Sequence, residues 1–169
     1  MKWILIDPPR RAVNIIQDEV ILKATEKASR FPPVGLAYLA GCLQSNGVEV
    51  QIIDAKSLNL PCSDICEIVE KEKPDIVGVT VFTSNLKSSL AICQEINKAY
   101  PPAKIVVGGA HIHPQHREVI EKPYIDFCVR GEGEETVLEL TEALSNGKDL
   151  EQVKGLTFKK EHNIIVTPE

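Results

Sequence analysis

Short, nearly unbroken apolar runs alternate along this chain with stretches in which apolar residues recur every three or four positions. The runs KWILID (2–7), VEVQIID (48–54), DIVGVTVF (75–82), KIVVGG (104–109) and IDFCVRG (125–131) are rich in β-branched residues and predict five strands. A strand with one solvated face would alternate apolar with polar; these barely do, so both faces of the sheet should be covered and its strands parallel. Helical spacing fills the gaps. Leu36, Leu39, Ala40 and Leu43 mark a helix over 34–46, with Pro33 near its start and Gly47 past its end. Ile65, Ile68 and Val69 mark one over 63–71, and Leu86, Leu90, Cys93 and Ile96 one over 85–100. A short helix is expected over 114–121, and Val137, Leu138, Leu140 and Leu144 predict another over 134–145. The tail KGLTFKKEHNIIVTPE reads as two short strands with a turn around His162 and Asn163.

Strand–helix alternation implies right-handed βαβ units. The expected fold class is therefore α/β: a doubly wound, Rossmann-like parallel sheet of five strands with helices on both faces and a short C-terminal β-hairpin. Residues 1–150 would form the binding domain and 151–169 the hairpin and the start of a linker. One connection is out of scale. Pro8 to Pro32 separates the first strand from the helix at 34–46, where βα loops usually take about 2–6 residues, and 13–27 could form a helix of its own.

Composition adds exclusions. With 169 residues, 43% apolar and 25% charged, the chain can bury a core without staples. A net charge of −5 and no Lys/Arg stripe argue against nucleic acid or an anionic membrane as partner. No apolar run approaches the ~18 residues of a membrane span, and the N-terminus lacks a signal-peptide pattern, so a cytoplasmic setting is expected.

In open α/β sheets ligands bind outside the carboxyl ends of the strands. That rim consists of Asp7, Pro8 and Pro9 after the first strand, Asp54 after the second, and Thr83, Ser84 and Asn85 with Phe82 after the third. Gly108, Gly109, Ala110 and His111 follow the fourth strand, and Arg130, Gly131, Glu132, Gly133 and Glu134 the fifth. The rim holds no acid–base pair and no nucleophile beside a base, which describes a binding surface rather than a catalytic centre. The first turn, DPPRRA, has no glycine, so neither a dinucleotide fingerprint nor a Walker A loop is present. Glu132, Glu134 and Glu135 read as capping residues of the following helix and would repel phosphate there. One of Thr83, Ser84 and Asn85 suffices as a helix N-cap, which leaves the others free for an amide-bearing ligand. Two glycines at a strand's end make a tight turn or clear the way for a large planar ligand.

His111, His113 and His116 are dense enough to suggest a metal, but no carboxylate or thiol is fixed beside them. No catalytic or metal-ligating residue is assigned. Of the five cysteines, Cys42, Cys93 and Cys128 lie in apolar segments and read as buried hydrophobes. Cys62 and Cys66 form a C-x3-C pair one helical turn apart without further ligands at metal spacing, and read as reduced thiols.

Four blocks, VVGGAHIHPQ, FPPVGLAYLAGCLQSNGVEVQIIDA, PDIVGVTVFTSN and DFCVRGEGEETVLEL, together resemble the N-terminal cobalamin-binding domain of cobalamin-dependent radical S-adenosylmethionine (SAM) enzymes. The group most resembled is the one similar to Mg-protoporphyrin IX monomethyl ester oxidative cyclase. The resemblance covers essentially the whole chain. It implies a flavodoxin-like domain holding cobalamin on the carboxyl ends of its strands. Thr83, Ser84 and Asn85 would bond the corrin and its nucleotide tail, Gly108 and Gly109 would let the tail lie along the backbone, and His111 would touch the corrin edge. It also implies a radical SAM domain in the same polypeptide, carrying the iron–sulfur cluster and SAM, to which the module would present the cofactor for methyl transfer or rearrangement. The classical Asp-x-His-x-x-Gly window reads Asp7-Pro8-Pro9-Arg10-Arg11-Ala12, so no protein His would bind cobalt from below. The cluster motif C-x3-C-x2-C is also missing, since Val69 stands where a third Cys would be, so the isolated chain should not perform radical catalysis.

The alternative expectation is a flavodoxin-like carrier or interaction domain that has lost cobalamin. A receiver would need paired acids after the first strand and an Asp ending the third, where this chain has Asp7 alone and Phe82-Thr83. A metal enzyme built on the histidines ranks behind both.

Overall fold

The structure, a computed structural model, describes residues 1–9, 32–161 and 163–169. The predicted helix over 13–27 lies outside the described residues. Strands β1 (Lys2–Asp7), β2 (Glu49–Asp54), β3 (Ile76–Thr80), β4 (Lys104–Gly108) and β5 (Phe127–Val129) alternate with helices α1 (Val34–Ser45), α2 (Cys62–Glu72), α3 (Leu86–Ala99) and α4 (Ile112–Ile120). Helix α5 (Gly133–Asn146) follows β5, and β6 (Leu156–Lys160) and β7 (Asn163–Val166) end the chain.

The sheet order is β2-β1-β3-β4-β5-β6-β7. The first five strands are parallel, with Leu5 opposite both Ile52 and Gly78, and Val79 opposite Val107. This is the doubly wound arrangement expected of a flavodoxin-like fold, whose order reverses between β1 and β3. The sheet is larger than the sequence suggests, because the C-terminal hairpin continues it. β6 pairs antiparallel with β5 and β7 antiparallel with β6. Turn chemistry shows in the sequence around residue 162, but nothing local tells which edge receives the hairpin.

Alternation along each strand divides the core. Ile4, Ile6, Val77, Val79, Ile105 and Val107 face one side, against Ile65 and Val69 of α2, Ile92 and Ile96 of α3, and Ile112 and Val119 of α4. Trp3, Leu5, Val106, Phe127 and Val129 face the other, against Leu36 and Leu43 of α1 and Val137 and Leu140 of α5. Each buried side chain of this size contributes ~1.5–3 kcal/mol. The polar end of Trp3 is satisfied, its Nε1–H donating to Thr141 Oγ1 at 3.0 Å. Helix ends lie within one residue of the periodic pattern, except that α4 begins two residues early at Ile112 and takes Pro114 into its first turn, where a missing N–H costs little. Gly147, at φ +65°, ends α5. No helix among the described residues is long and apolar enough to cross a membrane.

Candidate ligand-binding site at the carboxyl edge of the sheet

Between the sheet and helices α1 and α5 lies a cavity of about 370 Å³, opening at the carboxyl ends of the strands. Its inner wall is apolar, made by Trp3, Leu5, Val106, Val129, Leu36 and Val137. Its mouth is formed by Asp7, Lys56, Thr80, Phe82, Gly108, Gly109 and the 131–134 turn, with Pro32 to Gly35 opposite. A cavity of this size suits a small molecule or one limb of a large one.

Gly78 keeps the inner wall open. A Cβ there would lie 2.7 Å from Leu5 Cδ2, so the bare backbone is what lets Leu5 lie against the sheet. At the mouth, Gly35 and Gly131 have open space where a Cβ would stand, and side chains at these positions would narrow the entrance. Gly109 serves a different need: its φ of +111° is a left-handed conformation, and a Cβ would meet Val81 O at 2.8 Å. That turn is tied to the loop after β3, since Val81 N–H donates to Gly108 O at 2.7 Å and His111 N–H to Val81 O at 3.2 Å. The two predicted loops therefore form one shelf.

On that shelf Phe82 is 48% exposed, a large apolar ring held out at the mouth. Asn85 is buried and precedes α3, yet its side chain does not bond the helix. Its Oδ1 instead accepts from Phe82 N–H at 2.7 Å, which fixes the turn that presents Phe82, while Thr83 and Ser84 remain exposed. Thr83 Oγ1 and His111 Nδ1 share a hydrogen bond of 3.1 Å. Asp7 is buried at the end of β1, with Lys56 Nζ 3.6 Å from its Oδ2. Pro8 and Pro9 are buried behind it.

Of the residues predicted for the site, Asp7, Phe82, Gly108, Gly109, Gly131 and Glu132 line the cavity. Pro8, Pro9, Thr83, Ser84, Asn85, Ala110 and His111 sit on the same edge outside it. Arg130 is turned to the C-terminal segment: its guanidinium donates to Glu169 Oε1 at 2.9 Å and to Thr167 O. Glu132 stands at the N-cap of α5 without a side-chain capping bond, so the acids there act through Glu134 and Glu135 on the helix's positive end. Lys56 and the apolar inner wall were missed. The legible signal was Gly78, a glycine inside a buried strand, which often marks close approach of a ligand.

The histidines go to separate partners. His111 meets Thr83, His113 Nδ1 accepts from Gly131 N–H at 3.3 Å, and His116 Nδ1 lies 3.0 Å from Thr157 Oγ1. Burial, with Arg130 and Arg117 nearby, holds the His116 imidazole below its ordinary pKa. Among the described residues no group of three His, Cys, Asp or Glu side chains is placed to hold a metal. All five cysteines are free, and burial, with Cys62 beside it, pushes the Cys66 thiol up to about 12. A thiol held protonated is a poor nucleophile.

The shape of this site and the order of its strands can be set against known proteins. The profile of the B12 binding domain matches residues 24–141. The chain belongs to the B12 binding domain family. An uncharacterized methyltransferase of Pyrococcus horikoshii is 38% identical over 163 residues, covering 92% of this chain and 35% of that protein. The anaerobic magnesium-protoporphyrin IX monomethyl ester cyclase of Rubrivivax gelatinosus is 35% identical over 152 residues, covering 85% of this chain and 27% of the cyclase. The chain thus spans about a third or less of these relatives. Among solved structures, the cobalamin-dependent SAM radical enzyme OxsB, with aqua-cobalamin and SAM bound, superposes over 99% of this chain and 22% of that one (TM-score 0.79, 18% identity). TsrM, a radical SAM methyltransferase of Kitasatospora setae, superposes over 99% of this chain and 30% of its own (TM-score 0.76, 23% identity). The B12 family and the likeness to cyclase relatives agree with the sequence-based expectation, and they disfavour a carrier domain that has lost its ligand.

Proposed function

We propose that this chain is a cobalamin-binding module that holds the corrin ring over the carboxyl edge of its sheet, receives the nucleotide tail in the cavity beneath, and presents the cofactor to a radical SAM domain in the same polypeptide. The observation that carries the reading is the cavity: in a B12-family domain, an apolar recess opens between glycines on the edge where α/β sheets take their ligands. The residues fit the group. The recess is too small for a whole corrinoid and has room for one aromatic limb, which leaves the ring outside on the shelf of Phe82, Thr83, Ser84, Asn85, Gly108, Gly109, Ala110 and His111.

In this reading Thr83 and Ser84 would bond the amide side chains of the corrin, Asn85 would serve by holding the turn on which they stand, and Phe82 would cover apolar ring edge. Gly108 and Gly109 keep the backbone within reach of the tail, and Arg130, Gly131 and Glu132 border the far side. Asp7, Pro8 and Pro9 lie beneath the ring, and Pro9 has no atom that could bind cobalt, so the protein supplies no histidine ligand there. Bound cobalamin supplies a cobalt centre able to carry a methyl group, for methyl transfer or rearrangement by a domain that brings its own iron–sulfur cluster and SAM. Residues 1–150 would carry the cofactor-holding surface, and 151–169, whose hairpin completes the same sheet, would lead toward that domain.

Incubating the purified chain with hydroxocobalamin, desalting it and recording the visible spectrum tests the proposal. Corrin absorbance should co-elute with protein at close to one equivalent. A colourless protein fraction overturns the reading.

A further inference from the structure

The inner wall of the cavity has a chemical character of its own. Trp3, Leu5, Leu36, Val106, Val129 and Val137 present carbon to the recess. The one side-chain polar group these six residues carry, the Trp3 indole N–H, is already donated to Thr141 Oγ1 at 3.0 Å, and that hydroxyl in turn donates to Val137 O at 2.6 Å. Strand backbone offers nothing either, because β3 at the cavity floor is paired on both sides, with β1 and with β4. Charged and hydroxylic lining residues, among them Asp7, Lys56, Thr80, Glu132 and Glu134, are gathered at the mouth. A planar group entering this recess therefore finds room and apolar contact, and among the described residues no hydrogen-bond partner at depth.

Corrinoids differ in the base their tail carries. A dimethylbenzimidazole has an apolar outer edge with two methyl groups, whereas an adenine has an exocyclic amine and ring nitrogens that water satisfies outside and none of the described residues would satisfy here. We propose that the cavity makes this module selective for corrinoids with a benzimidazole-type lower base over those with a purine. The proposal rests on the cobalamin reading above. A desolvated, unpartnered polar edge weakens binding by roughly tenfold or more, whereas added methyl groups in an apolar pocket strengthen it.

Gly78 sets the depth available to the base. An alanine there would place its Cβ 2.7 Å from Leu5 Cδ2 and drive the leucine into the recess. Gly78→Ala should thus lower affinity for any corrinoid that inserts its base while sparing one without a base.

The test is equilibrium dialysis of the whole chain against three corrinoids kept anaerobically in the cob(I) state, where neither base is bound to cobalt: cobalamin, its adenine-based counterpart and cobinamide, which has no nucleotide. Cobalamin should bind roughly tenfold or more tightly than the adenine form. Val106→Thr, nearly isosteric and adding a hydroxyl to the wall, should narrow that ratio with the circular dichroism spectrum unchanged; this variant keeps the test open if Gly78→Ala does not fold. Equal affinity for cobalamin and the adenine form, or a ratio unmoved by Val106→Thr, overturns the selectivity while the module stands. Absence of binding by all three overturns both.

Discussion

Val106 and Val107 are neighbours on β4 and point to opposite sides of the sheet. Val107 lies on the face covered by helices α2, α3 and α4 and is fully buried, whereas Val106, 3% exposed, borders the cavity beneath α1 and α5. Both are buried from solvent, yet only one is surrounded by protein. The five parallel strands thus carry a filled face and a hollow one. The difference arises from Gly78, which brings no side chain to the hollow side, and from the entrance glycines. A face with its recess built in binds without first having to open.

The strongest challenge to this comparison lies at the seam between the faces. Gly109→Ala puts a side chain at φ +111° and against Val81 O, which should lower stability by about 2–3 kcal/mol. Urea unfolding measures it, and an unchanged midpoint would mean that the shelf of the β3 and β4 loops is not held as described. Next comes the paired test on β4. Val107→Ala should cost about 2 kcal/mol and Val106→Ala about 1 kcal/mol or less, because the first leaves a void in packed protein and the second enlarges an existing one. Equal losses would remove the distinction between the faces. The smallest effect concerns His116, whose contact with Thr157 belongs to the protected side. Its pKa is lowered in the fold, so the unfolded chain binds the proton more readily, and stability should fall as pH drops from about 6.5 through the lower native value. Melting temperatures of the native chain and His116→Gln between pH 7 and 5 should converge as acid is added; parallel curves would show that His116 does not contribute.

Much of this was written in the sequence at the level of elements. Unbroken β-branched runs such as DIVGVTVF announced strands covered on both sides, and the rim residues followed from where those runs stop. The cavity was less legible. Its wall consists of ordinary core residues, Trp3, Leu5, Val106 and Val137, whose types say burial and do not say whether the neighbouring space is occupied. Void is a property of how helices sit, and only Gly78, placed oddly within a strand, hinted at it. Asn85 and Arg130 illustrate a second limit. Their polar character is visible in the sequence, but the partners they take, Phe82 N–H and the Thr167–Glu169 segment, depend on how the backbone folds around them.

The C-terminal hairpin carries a consequence of parity. β6 runs against the five parallel strands and β7 reverses again, so the chain leaves β7 heading the same way as it leaves β5, and Glu169 comes to Arg130 at the carboxyl edge. An even number of reversals returns the polypeptide to the side where the cavity opens.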